Sequence, residues 1–302
     1  MRPRVKTLVL RELQKHIADN LPMVRGLLVS RNGQIMYECY YEDGSPEKRT
    51  NIWSCTKSFT SVLVGMLVKQ NNFPKLHERI ADLLPSLTTQ AHESFKKITV
   101  GQCMNMSIGY KTDIGDHDVL LAIMKPVDYE PGSEFFYNDI GSHIISRLIS
   151  ETTGSTTSSF ANSVLFAPLG INDPHWNMAD DGYNIGGHGL QLSPREMLTF
   201  GQFVLQSGEW QGVKFVDEEF FAQTIKKQTD GGFPGENPYG YLWWVSDRSG
   251  YHSYYALGYG GQLICVCPEL HLVTVLTCTD ELGADIAPAQ DLYFDYIMPA
   301  CQ

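Results

Sequence analysis

The pattern of apolar residues divides the chain into a strand-rich beginning, a helical middle and a strand-rich end. Residues 7–20 predict an amphipathic helix, with apolar side chains at Leu8, Leu10, Leu13 and Ile17. Apolar runs at 26–30 and 34–40 then flank Arg31-Asn32-Gly33. Because Asn-Gly between two such runs is typical of a β-hairpin, the chain is predicted to begin helix, strand, strand.

The period of the apolar pattern changes after Ser54 and again at Asn237. After Ser54 it is mostly helical for over a hundred residues, and Ile140–Ile149 predicts an apolar helix that ends near Gly154. From Asn237 onward the period is two, which predicts strands at 241–245, 251–258, 261–267 and 272–278. Residues 285–298 predict a closing helix.

These elements indicate an α+β fold. The strands from both chain ends are expected to form one antiparallel sheet flanked by helices. Residues 1–75 and 235–302 would make this α/β lobe, and residues 76–234 would make an inserted, mostly helical lobe. The active site is predicted between the two lobes.

Composition and charge narrow the possible partners. The chain has 302 residues, 43% of them hydrophobic, and a formal net charge of −11, which disfavours nucleic acids and anionic membranes. Its seven cysteines are scattered, and no paired Cys or His spacing predicts a metal or cofactor site. No run of residues predicts a signal peptide or a membrane span, so a cytoplasmic location is expected. The oligomeric state is not predicted.

Ser54 and Lys57 are the first candidates for chemistry, because they stand three residues apart at the start of an apolar helix. This spacing places the hydroxyl and the amine on one helix face. We expect Ser54 to be the N-cap, and we expect burial to lower the pKa of Lys57 so that its neutral amine takes the serine proton. The alternative is a capping serine beside a lysine that extends towards solvent.

The spacing alone is not specific. Ser-x-x-Lys also occurs at Ser45–Lys48 and Ser94–Lys97, in stretches that lack the apolar helix. Motifs of the α/β-hydrolase elbow, zinc proteases, P-loops and dinucleotide-binding folds are missing from the sequence. Further residues must therefore support Ser54.

Two loops supply them. Tyr137 and Asp139 precede the helix at 140–149, where a phenol near a lysine suits acid/base work; the alternative is a core tyrosine. Gly258 and Tyr259 lie in a glycine-bearing strand end whose N–H groups suit an oxyanion, although a bulge would also explain it. A glycine-rich loop at 186–189 is expected nearby, and His188 is interpreted as a turn residue.

The order of these features resembles the penicillin-binding-protein-like serine hydrolases, which include class C beta-lactamases, DD-peptidases, family VIII esterases and 6-aminohexanoate-dimer hydrolases. Ile98-Thr99-Val100 with Met104 to Gly109 is similar to the family's "ITxxxLLxMxSG". Pro131-Gly132 with Tyr137 is similar to "PGxxFxYSN". The resemblance covers about residues 24–279.

The resemblance implies a role for each matching residue. Ser54 would be the acylated nucleophile, Lys57 its proton acceptor, and Tyr137 the residue that passes the proton to the leaving group and later helps to activate water. The N–H groups of Ser54 and Tyr259, beside Gly258, would form the oxyanion hole. No metal and no cofactor is implied.

Two departures bear on the substrate. Asp139 stands where the family often has an asparagine, and it favours a substrate that carries an amine. Ala256-Leu257-Gly258 replaces the Lys-Thr-Gly or His-Thr-Gly of beta-lactamases, which removes a group that holds a carboxylate. We therefore expect a carboxylesterase or amide hydrolase acting on small ester, amide or lactam substrates. The alternatives are a DD-peptidase or beta-lactamase, and a non-catalytic protein that binds peptides or muropeptides.

Overall fold

An eight-stranded antiparallel sheet forms the centre of the computed structural model, which describes residues 7–89, 91–111 and 119–302. The strands are β1 (Val24–Arg31), β2 (Gln34–Tyr40), β3 (Thr50–Asn51), β4 (Gln191–Leu192), β5 (Glu209–Trp210), β6 (Val213–Lys214), β7 (Thr229–Gly232), β8 (Asn237–Tyr239), β9 (Trp244–Ser246), β10 (Ser253–Gly258), β11 (Gln262–Cys267) and β12 (Leu272–Cys278). The large sheet has the order β2-β1-β12-β11-β10-β9-β8-β7, so strands from both chain ends lie side by side. The predicted α+β class is confirmed.

The N-terminal hairpin forms where the sequence predicts it. Asn32 and Gly33 connect β1 to β2 with φ values of 51° and 74°. Two successive positive φ values make the turn whose twist matches that of the paired strands, and Asn-Gly adopts it readily.

Helical segments surround the sheet. The α-helices are α1 (Thr7–Asn20), α2 (Thr56–Lys69), α3 (Ile80–Leu83), α4 (Pro85–Thr88), α5 (Val100–Met104), α6 (Val119–Ile123), α7 (Ile140–Thr153), α8 (Thr157–Ala161), α9 (Pro194–Leu205), α10 (Glu218–Thr224), α11 (Ala289–Asp291) and α12 (Met298–Ala300). A π-helical stretch, Leu292–Ile297, joins α11 to α12, so the predicted closing helix spans 289–300. Helix α7 ends at Gly154, which has the left-handed φ of 66° that glycine tolerates.

The strands at the centre of the sheet are buried on both faces. Every residue of β11 and β12 is buried. On one face, the Tyr254 hydroxyl donates to the Val204 carbonyl of α9 at 3.0 Å. On the other face, the next residue, Tyr255, packs against Phe294, with ring centroids 6.2 Å apart. The sheet is therefore covered on both faces.

One strand of the large sheet lies outside the two end segments predicted to form that sheet. Strand β7 pairs with β8 at the edge of the large sheet, although it lies before residue 235, in the segment predicted as helical. Two of its four residues are Gly231 and Gly232, so the stretch carries no strand periodicity. The predicted boundaries of the two lobes stay a prediction.

Within the part of the chain that the structure describes, no helix combines the length and apolarity that crossing a bilayer requires.

Candidate active site

Ser54 lies in a short 3₁₀ turn, Trp53–Cys55, that leads directly into α2. Trp53 has a left-handed φ of 48°, and its N–H donates to the Asn51 Oδ1 at 2.9 Å. A bulky residue adopts this conformation at a cost of about 1–3 kcal/mol, and such residues are concentrated at active sites. The turn leaves Ser54 partly exposed at the floor of a cleft, with the Trp53 ring beside it.

The prediction that Ser54 caps the helix is wrong. Cys55 occupies the position before α2, and no side chain caps it. The Ser54 Oγ instead accepts a hydrogen bond from the Lys57 Nζ at 3.0 Å. The two groups are therefore neighbours, as their spacing predicts, but the serine hydroxyl binds the lysine and does not cap the helix.

Lys57 is buried among three acceptors. Its side chain is 1% exposed, and its Nζ donates to the Ser54 Oγ at 3.0 Å, to the Gly187 carbonyl at 3.1 Å and to the Asp139 carboxylate. An ammonium group has three N–H donors, so each finds one acceptor. The site is built around a charged lysine.

The predicted lowering of the Lys57 pKa is therefore wrong. Burial does act to lower it, but the Asp139 carboxylate and Tyr137 together outweigh burial, and the pKa of Lys57 lies above its ordinary value. The reason is the buried ion pair with Asp139, whose side chain is 7% exposed. The same pair gives Asp139 a partner inside the protein, so the residue does not depend on a substrate amine.

Tyr137 lies over this pair. The Lys57 Nζ is 4.7 Å from the centroid of its ring, and the ring stacks on Trp244 at 5.5 Å. Burial raises the pKa of Tyr137, and the nearby Lys57 ammonium and a hydrogen bond with Ser54 offset only part of this. The hydroxyl is thus a phenol at neutral pH.

The glycine-rich loop at 186–189 closes the site from the side, as expected. A Cβ added to Gly187 would lie 2.3 Å from the Asp139 Oδ1, and one added to Gly186 would lie 2.0 Å from the Ser142 carbonyl. The Thr60 hydroxyl of α2 donates to the Gly186 carbonyl at 2.9 Å. Only glycine fits between α2 and α7 here, which allows the Gly187 carbonyl to reach Lys57.

Gly258 brings the end of β10 against the Ser54 turn. A Cβ at this position would lie 2.4 Å from the Ile52 carbonyl oxygen, so glycine permits the close approach. Tyr259 follows, with its ring 5.4 Å from that of Trp53. His188 lies in a bend, lines the same cleft and is 6.2 Å from the Trp53 ring; its interpretation as a turn residue stays a prediction.

A cleft of about 750 Å³ opens above Ser54. Among its lining residues are Ser54, Tyr137, Asp139, His188, Gly258 and Tyr259. The structure thus brings together all the predicted site residues, with Lys57 beneath the floor of the cleft, where it donates hydrogen bonds to Ser54 and Asp139 and lies against the Tyr137 ring. Their chemical roles stay predictions.

The outer part of the cleft was not predicted. Its apolar side chains include Trp53, Phe233, Leu257, Leu282 and Ile286. Gln290 of α11 links the C-terminal segment to the one that carries Phe233, because its side chain donates to the Gly235 carbonyl at 2.8 Å. The five residues come from separate segments with no shared spacing in the sequence, so no pattern could have grouped them.

Comparison with known proteins identifies relatives of this chain. The chain is 21% identical over 280 residues to a 6-aminohexanoate-dimer hydrolase from Paenarthrobacter ureafaciens, covering 82% of this chain and 70% of the relative. It spans 53% of the length of another, uncharacterised relative.

Solved structures share the fold. EstCE1, described as a hydrolase with promiscuous acyltransferase activity, superposes with a TM-score of 0.77 at 14% identity over 98% of both chains. A penicillin-binding protein homologue from Caulobacter crescentus superposes with a TM-score of 0.78 at 12% identity, again over 98% of both chains. The family model described as Beta-lactamase matches residues 23–293. The chain therefore belongs to the beta-lactamase family of serine hydrolases.

Proposed function

We propose that this chain is a serine hydrolase that forms an acyl-enzyme at Ser54 and cleaves small uncharged esters, with amides as slower substrates. The observation that carries the proposal is the 3.0 Å contact between the Ser54 Oγ and the Lys57 Nζ at the floor of an open cleft. A hydroxyl becomes an effective nucleophile when a buried basic group can take its proton.

The proposed reaction has two halves. The Ser54 Oγ attacks the carbonyl carbon and its proton leaves towards Lys57, while the carbonyl oxygen gains negative charge that the N–H groups of Ser54 and Tyr259 stabilise. A proton then reaches the leaving oxygen, from the Tyr137 phenol, as the bond between that oxygen and the acyl carbon breaks. In the second half, water attacks the acyl-enzyme and the proton transfers run in reverse.

The cleft favours an uncharged ester over a substrate with a carboxylate. In the described part of the chain, no lysine or arginine is among the cleft's lining residues, and Lys57 beneath it is already paired with Asp139. A penicillin or a peptide C-terminus would bring a carboxylate without a cation to receive it. The apolar outer wall instead suits an acyl chain or an apolar alcohol.

The test is hydrolysis of p-nitrophenyl acetate and butyrate by the wild type and by Ser54→Ala. We expect activity in the wild type that the substitution abolishes, and covalent labelling of the wild type alone by a fluorophosphonate probe. Benzylpenicillin and the 6-aminohexanoate dimer belong in the same panel. Ester hydrolysis that survives Ser54→Ala would refute the assignment of the nucleophile, and penicillin turnover faster than ester turnover would refute the substrate class.

A further inference from the structure

The buried pair of Lys57 and Asp139 does more than hold the lysine in place. We infer that Asp139 receives, by way of Lys57, the proton that Ser54 releases on acylation, so that a lysine whose three N–H bonds are all directed at acceptors still serves the nucleophile. This inference rests on the proposed function, because it concerns the proton of the same acylation step.

The geometry places the three groups in series. The Lys57 Nζ lies between the Ser54 Oγ, at 3.0 Å, and the Asp139 carboxylate, which it contacts directly. The Gly187 carbonyl accepts a third hydrogen bond at 3.1 Å, which holds the amine at this point. Asp139 is linked to Ser54 through the Lys57 Nζ, so it acts as a positioning residue through Lys57.

The resting state poses a problem that this arrangement solves. A lysine with all three N–H bonds directed at acceptors has no lone pair for the serine proton. Asp139 is the one acceptor of the three that can take a proton and become neutral. When Nζ gives a proton to the Asp139 Oδ1, a rotation about Cε–Nζ turns the lone pair towards Ser54.

The proton balance of the step is complete. First, the Nζ–H bond that is directed at Asp139 breaks and an O–H bond forms on the carboxylate. Then the Ser54 O–H bond breaks and a new N–H bond forms on the Lys57 Nζ. The Ser54 Oγ bonds to the substrate carbonyl carbon, whose oxygen becomes the oxyanion. On collapse, one proton passes to the leaving oxygen from Tyr137, and Tyr137 is reprotonated from Asp139 by way of Lys57.

The titratable groups packed around Lys57 and Asp139 are uncharged. Burial raises the pKa of Tyr137, of Tyr239 on β8 and of the Cys55 thiol beside α2, so all three are neutral at neutral pH. His188, Tyr259 and Asp291 are the other titratable residues that line the cleft. Asp139 and Lys57 are the two charged groups that touch each other next to Ser54.

The competing mechanism predicts the opposite pH behaviour. If Lys57 alone were the base, Asp139 would hinder it by keeping the lysine charged, and activity would rise only at alkaline pH. If Asp139 receives the proton, activity persists down to the pH at which a carboxylate becomes protonated. The two mechanisms therefore differ in the direction in which removal of the Asp139 carboxylate moves the acid limb of the pH profile.

The experiment is the pH profile of kcat/KM for ester hydrolysis by the wild type and by Asp139→Asn, with the rate of fluorophosphonate labelling as a second readout. Asparagine keeps the shape and the hydrogen bond but removes the charge. We expect the variant to lose about 100-fold at pH 7 and to regain activity as pH rises, so that its acid limb moves to higher pH. Asp181→Asn is the matched control, because Asp181 pairs with His143 and Arg147 away from the cleft and should leave the shape of the profile unchanged.

Two outcomes would overturn the inference. One is an Asp139→Asn variant that is as active as the wild type at pH 7, or whose acid limb moves to lower pH. The other is a wild-type enzyme whose activity rises only at alkaline pH. The second needs no variant, so it decides the matter even if Asp139→Asn does not fold. A wild type without Ser54-dependent hydrolysis would instead refute the proposed function, which keeps the two failures distinguishable.

Discussion

The floor and the rim of the cleft are built on opposite principles. At the floor, Asp139 is a buried charge that contacts a second buried charge, Lys57, just beneath it. At the rim, Phe233, Leu282 and Ile286 are apolar side chains that are 68%, 77% and 62% exposed. A buried charge must be paired, so changing one residue at the floor affects the others. An exposed apolar side chain needs no partner, and it stabilises a complex only when a substrate covers it. The chemistry and the choice of substrate can therefore vary separately.

The largest effect should come from Lys57→Met. Removing the amine takes away the route for the serine proton, and we expect kcat/KM for p-nitrophenyl butyrate to fall on the order of 10⁴-fold or more. The same change leaves Asp139 buried without its partner, at a cost of about 3–5 kcal/mol in the free energy of unfolding measured in urea. The double variant Lys57→Met with Asp139→Asn should recover most of the stability but no activity. Unchanged stability in the single variant would contradict the tight coupling of the floor.

Tyr137→Phe should remove chemistry while keeping structure. The ring still stacks on Trp244 and lies over Lys57, so we expect little change in stability. Loss of the phenol proton should lower kcat by about 10²–10⁴-fold. Tyr241→Phe is the control, since that ring stacks on Phe220 away from the cleft. If the two variants had equal activity, Tyr137 would be a packing residue only.

Gly187→Ala tests the floor by crowding it. The added methyl group would lie 2.3 Å from the Asp139 Oδ1, so it must push the carboxylate away from Lys57. We expect kcat/KM to fall about 10- to 100-fold, because small misplacements at a reacting centre are costly, with a loss of about 1–3 kcal/mol in stability. Gly170→Ala, whose methyl group meets open space at a φ of 74°, should lose about 1–2 kcal/mol and keep its activity. Wild-type activity in Gly187→Ala would show that the floor tolerates displacement.

The smallest effect is expected at the rim. Leu282→Ser should lower kcat/KM for p-nitrophenyl octanoate about 3- to 10-fold, because it removes apolar surface that a long acyl chain would cover, and should leave the acetate ester unaffected. Val213→Ser is the matched control, since Val213 is 54% exposed on β6 and does not line the cleft. An equal loss of kcat/KM on both esters would mean that Leu282 holds the catalytic residues in place and does not contact the acyl chain.

Several elements followed from the sequence because their causes are local. The Asn32-Gly33 hairpin, helix α1 at Thr7–Asn20 and the end of α7 at Gly154 all lie where periodicity and turn residues predict them. Strand β7 did not follow, because Gly231 and Gly232 carry no strand pattern and the pairing with β8 decides its conformation.

The sequence by itself determined that the Ser54 hydroxyl and the Lys57 amine would meet, because three residues on a helical turn bring two side chains to one face. Tertiary structure alone decided the charge of that amine. Asp139 arrives from 82 residues along the chain and the Gly187 carbonyl from 130, and no local pattern encodes either contact. Burial without a partner would have lowered the Lys57 pKa, and burial beside a carboxylate raises it, so the protonation state of the site depends on which loop packs against α2.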